Sequence, residues 1–163
     1  MKFQMLIAAL LFISVECASQ QTDQLSQQER EQIKSEARVV VEDIFAKWVA
    51  LDVEGVLQHY STDMVTLRGR SIIGYPEYVK VWMRTKDATS VKCTAFRCEY
   101  LVLSADFVVS ACTGKVGVSM KSGEKIANDP QTYTDVLKKI GGQWKVIYEH
   151  TAGTSIINKV DKN

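Results

Sequence analysis

The stretch Tyr133-Thr-Asp-Val-Leu-Lys-Lys-Ile-Gly-Gly-Gln-Trp-Lys-Val-Ile-Tyr-Glu-His-Thr151 reads as a β-hairpin. β-Branched and aromatic residues fill both arms, and Gly141-Gly142 between them supplies the positive φ angles that a tight turn requires. The arms are expected over Thr132 to Ile140 and Trp144 to Thr151. A longer hairpin is expected before it. Val91 to Leu103 and Phe107 to Met120 are rich in Val, Phe, Tyr, Thr and Cys, and Ser104-Ala105-Asp106 between them forms a turn.

Farther upstream the period changes from two to between three and four. Ile33, Ala37, Val40, Val41, Ile44, Phe45, Trp48 and Leu51 alternate with Glu36, Arg38, Glu42, Asp43 and Lys47, the pattern of one amphipathic helix. Asp52 can end that helix and cap a short second one carrying Val53, Val56, Leu57 and Tyr60. Met64 to Leu67 is a strand candidate, and Pro76 opens a third helix with Tyr78, Val79, Trp82 and Met83. The order α-α-β-α-β-β-β-β predicts an α+β domain, an antiparallel sheet with helices on one face. Strands this long in so small a domain must curl, so the curved sheet is expected to wrap the long N-terminal helix as a cone with one open end.

Residues 1–19 read as a secretory signal peptide: Lys2, an apolar run from Met5 to Val15, then small residues suited to cleavage after Cys17 or Ser19. A lipid-modified Cys17 is the alternative. The run is about half of the ~20 apolar residues a membrane span needs, so no membrane anchor is expected. Residues 20–32, rich in Gln and Ser, are expected to form a flexible arm, residues 33–154 the domain and 155–163 a C-terminal tail. The formal net charge is +1 and basic residues are scattered among acidic ones, which argues against nucleic acid as a partner. Two histidines, no phosphate-cradling glycine loop and no zinc-ligand spacing leave no basis for a metal, a cofactor or a Ser-His-Asp triad.

Ala50-Leu-Asp-Val-Glu-Gly-Val-Leu-Gln-His-Tyr60, then Asp63, Gly74 and the closing hairpin resemble the nuclear transport factor 2-like, SnoaL-like proteins over about Ile33 to Thr154. The resemblance implies a cystatin-like α+β barrel with a cavity, and it implies no single chemistry, because the superfamily includes isomerases, cyclases, dehydratases and non-enzymatic transport factors. Against ketosteroid isomerase, the hydrogen-bonding tyrosine falls at Ile44 and the general-base aspartate at Arg68, and a guanidinium cannot abstract a proton. Asp135 alone matches, at the protonated aspartate that donates to an oxyanion. Steroid isomerisation is therefore not expected.

Strand alternation places Tyr133, Asp135 and Leu137 on the cavity side, and the family's register adds Ile147, Glu149 and Thr151, with Tyr148 and His150 outside. Ile44, Trp48, Tyr60, Arg68 and Trp82 complete the expected wall. Its polar groups have two readings. Asp135 and Glu149 form an acid/base pair steered by Arg68, or Arg68 and Asp135 form a buried ion pair while Glu149 is solvated at the rim. The aromatic residues likewise serve either as core or as a platform for a small apolar or aromatic molecule.

A turn centred on Ala105 pairs residues whose numbers sum to 210, which sets Cys98 opposite Cys112 and predicts a disulfide in an oxidising compartment. Cys93, five residues from Cys98, is expected on the other face as a free thiol. Val109, Ala111, Val146 and Tyr148 are expected to form an apolar outer patch, which points to a homodimer, with His150 beside it. The reading that follows is a secreted or periplasmic pocket protein, a carrier or a cofactor-free enzyme of lyase or isomerase type. The alternative is a non-catalytic dimeric interaction module with an idle cavity.

Overall fold

The computed structural model describes residues 25–158, with side chains to residue 153. The signal-peptide and Cys17 readings fall outside the described residues. Helix α1, Gln27–Val49, starts earlier than its apolar period marks, inside the segment expected to be a loose arm. Ser26 and Glu29 form a reciprocal capping box, which satisfies the first free N–H groups and lets a Gln-rich turn precede the apolar face. Ile33, Ala37, Val41 and Ile44 on that face are buried.

Asp52 caps α2, Val53–Leu57, by accepting from the Gly55 N–H at 2.9 Å. Strand β1, Tyr60–Arg68, is longer than expected, and β2, Ser71–Gly74, is an added strand hairpinned to it through Gly69 at φ 63°. Helix α3, Tyr75–Met83, opens on Pro76, and a 3-10 turn, Arg84–Asp87, leads into the long strands. These are β3, Ala88–Ser104, β4, Phe107–Met120, β5, Lys125–Ile140, and β6, Gln143–Asn158. β6 continues into the stretch read as a tail, because its backbone pairs with β5 as far as Lys125 opposite Asn158.

The six strands form one curved, unclosed sheet in the order β2-β1-β6-β5-β4-β3, antiparallel except for β1 beside β6. α1 lies in the concavity, with its apolar stripe against Val102, Val108, Leu137 and Val146. Glu36 on α1 accepts from the Trp144 indole N–H at 3.0 Å and the Lys139 ammonium at 2.9 Å, which fixes the helix to the β5–β6 hairpin.

Two bulges change which side chains face in. Val136 pairs with Tyr148 and the next residue, Leu137, with Val146, so Ile147 is an extra residue on β6. Val146 is thereby fully buried in the core and not on the outer patch, and Ile147 lies off the cavity wall where strict alternation had set it. The second bulge lies between Thr94 and Arg97, where Ala95 takes φ 54°. It reverses the parity of β3. Cys93 therefore shares a cleft against α1 with Phe96 and Cys98, on the same face as Cys98 and not the opposite one.

Candidate functional site

Cys98 and Cys112 are directly paired across β3 and β4 and form a disulfide, their Cα atoms 4.1 Å apart. Cys93 is a free thiol, and burial pushes it up to about 11. The bond ties β3 to β4, and β4 contributes Val116, Val118 and Met120 to the wall of a cavity of about 420 Å³. That volume lies within the range of small-molecule sites, roughly 300–1,000 Å³.

The wall contains Ile44, Trp48, Tyr60, Arg68, Trp82, Tyr133, Asp135, Glu149 and Thr151. Leu137 lies beneath it in the core, fully buried. α1 supplies Ile44, Phe45 and Trp48, and α3 supplies Trp82. The Trp48 and Trp82 rings meet edge to face at 5.6 Å, and Phe45 and Tyr133 extend the aromatic surface at 5.5 Å.

Asp135 on β5 and Glu149 on β6 are register partners, both almost wholly buried. Glu149 Oε2 accepts from Tyr60 at 2.9 Å and Tyr78 at 2.6 Å, while Oε1 accepts from Thr151 at 3.0 Å. Burial and the Glu149 charge hold both phenols far above their ordinary range, so they act as fixed donors. Asp135 Oδ2 accepts from Ser110 at 3.1 Å, and Oδ1 has no partner among the described residues. Burial, followed by the charge of Glu149, pushes the Asp135 carboxyl well above the carboxylate range against the smaller pull of Ser110.

The Arg68–Asp135 ion pair does not form. Arg68 is exposed at the mouth, and among the described residues it reaches no carboxylate within salt-bridge distance. Glu149 is 4% exposed and held by three hydroxyls, so it is not the solvated rim residue of that reading. His150 pairs with Thr134 on the outer side, and His59 contacts Asp43 at 2.7 Å, away from the cavity wall. Among the described residues no cluster of three His, Cys, Asp or Glu side chains is placed to hold a metal, and no helix is long and apolar enough to cross a membrane.

Sequence reasoning counted Tyr78 among the core or platform aromatics but missed its bond to Glu149, and it missed Ser110, Asn128, Gln131 and Arg84. Two of these carried a signal. Tyr78 lies one helical turn from Trp82, and Ser110 faces Asp135 once the β4–β5 register is set by Cys112 opposite Tyr133. Asn128 and Gln131 flank Pro130 where β5 changes register, and no local pattern marks that.

No protein-family model matches the sequence, and no curated protein matches it. Solved structures do match the fold. A ketosteroid isomerase-like protein from Erwinia carotovora atroseptica superposes with TM-score 0.63 at 19% identity, over 75% of this chain and 96% of that one. A scytalone dehydratase-like protein from Novosphingobium aromaticivorans gives TM-score 0.71 at 10% identity, over 85% and 94%. A hexachlorocyclohexane dehydrochlorinase gives 0.59 at 14%, over 82% and 94%. At such identities the likeness is one of architecture, and on that architecture the chain has the α+β cone fold of the nuclear transport factor 2-like superfamily.

Proposed function

We propose that this protein binds a small, largely apolar molecule in the aromatic cavity and acts on it as a cofactor-free enzyme of lyase or isomerase type. The observation that carries the reading is the Asp135–Glu149 pair. Two carboxyl groups adjacent in register share a mostly apolar wall, and one is held neutral with an unpartnered oxygen while the other is held by three hydroxyl donors. Such a pair divides acid and base roles by environment. Asp135, as the neutral acid, donates its proton to a ligand oxygen or a departing group. Glu149 Oε1, whose only donor among the described residues is Thr151, takes a proton from a neighbouring carbon. The apolar surroundings strengthen both interactions relative to water. The fold neighbours include dehydratase-like, isomerase-like and dehydrochlorinase proteins, which supports this class of chemistry without naming a substrate.

Export to an oxidising compartment accords with the Cys98–Cys112 bond and with the reading of residues 1–19 as a signal peptide. Mass spectrometry of native protein from its own source tests the pocket reading. A stoichiometric organic molecule retained by the wild type, and lost in a Trp82→Ala variant that still folds, supports it. Protein that is empty, and that binds none of a panel of apolar carbonyl compounds, would leave the idle cavity of an interaction module.

A further inference from the structure

We propose that the cavity is selective for anionic ligands: apolar molecules with a carboxylate or equivalent acid at one end, held at the mouth by Arg68 and Arg84. This rests on the pocket reading above and adds the charge and spacing of the ligand. Arg68 ends β1 and Arg84 follows α3, so two separate elements bring guanidinium groups to one mouth. Among the described residues neither arginine has a carboxylate within salt-bridge distance, although the same wall contains Asp135 and Glu149.

Among the described residues the buried indole N–H groups of Trp48 and Trp82, on the cavity's aromatic wall, have no acceptor, and Asn128 Oδ1 has no donor. Asp135 Oδ1 is unpartnered as well, and in the neutral acid it becomes a further donor. A guanidinium pair at the mouth with no carboxylate of its own favours a planar acid over a neutral acceptor. A cationic ligand would meet two like charges on entry.

Register sets the spacing. Thr66, fully buried, pairs with Glu149, whereas Arg68, two residues on, pairs with Thr151 and is exposed. The Arg68 backbone thus lies two residues, about 7 Å along the strand, nearer solvent than that of Thr66. The ligand's acid group is accordingly set on the solvent side of the atom addressed by Asp135.

Two isosteric probes test this, 4-phenylbutanoate and its neutral amide 4-phenylbutanamide, titrated against the full-length mature protein by tryptophan fluorescence excited at the red edge. The expected result is tighter binding of the anion by about tenfold or more, as for a charge-assisted contact, with a preference that falls as salt rises. In an Arg68→Gln, Arg84→Gln double variant the anion-to-amide ratio should fall close to one. Amide binding as tight as anion binding, or a ratio unchanged in the double variant, would overturn the anion proposal and leave the pocket reading standing. Failure of both probes, confirmed by calorimetry, would count against the pocket reading and this proposal together.

Discussion

Burial and the adjacent charge of Glu149 both favour the neutral form of Asp135, so the folded protein holds a proton there that the unfolded chain releases. A raised carboxyl pKa costs stability as pH rises, because the folded state binds the extra proton throughout the interval between the unfolded value, near 3.8, and the raised one. Relative to Asp135→Asn, the wild type should therefore lose stability from about pH 4 upward, by as much as ~1.4 kcal/mol per pH unit where the difference is one full proton. Urea unfolding of both proteins at pH 5, 6 and 7 measures it, and parallel curves would mean that Asp135 is ionised in the fold. Glu36 behaves in the opposite sense. Hydrogen bonds from Trp144 and then Lys139 draw it down to about 2, so its contribution is present above 4.5 and is lost as pH falls through about 2. Glu36→Gln should cost about 1–2 kcal/mol at pH 7, and the gap to wild type should close on acidification between those two values.

The disulfide and the two bulges act on whole strands. Cys98 and Cys112 enclose about 15 residues, so a Cys98→Ala, Cys112→Ala variant should be less stable by about 3 kcal/mol on chain-entropy grounds. Denaturant midpoints of the variant and the oxidised wild type check this, with Cys93 present in both. The same hairpin shows where the sequence could be read and where it could not. The 210 sum holds for Val102 and Val108, Leu101 and Val109, and Cys98 and Cys112. Past the Ala95 bulge it becomes 209, as at Cys93 and Val116, because one inserted residue leaves no mark in composition. The bulge at Ile147 likewise exchanged the expected places of Val146 and Ile147. Strand parity counted from a turn holds only as far as the next bulge; Asp135 and Glu149 lie past the one at Ile147, and Glu149 was placed by the family's register and not by alternation from the turn. The Ser26 and Glu29 capping box was readable too, but the surrounding glutamines masked it.

At the scale of the whole molecule, the outer face of the sheet carries an apolar row that follows directly from register. Leu101 pairs with Val109, Val109 with Val136, Val136 with Tyr148 and Tyr148 with Val65, so five strands contribute one side chain each to a continuous stripe. Leu101 is 61% exposed and Val65 41%, with Ala111 and Leu67 in the next row. A stripe of this length is unusual on an isolated soluble domain, and two copies related by a two-fold axis would cover it with the same surface on each. Because the cavity opens on the opposite, concave side, dimerisation leaves the mouth free. The expected outcome in multi-angle light scattering at micromolar concentration is twice the chain mass. Val136→Lys, which sets a charge in the middle of the stripe and leaves the core face of β5 untouched, should give the single-chain mass with an unchanged circular dichroism spectrum. A wild type that elutes at the single-chain mass removes the dimer, and a Val136→Lys protein that stays dimeric moves the interface off this row.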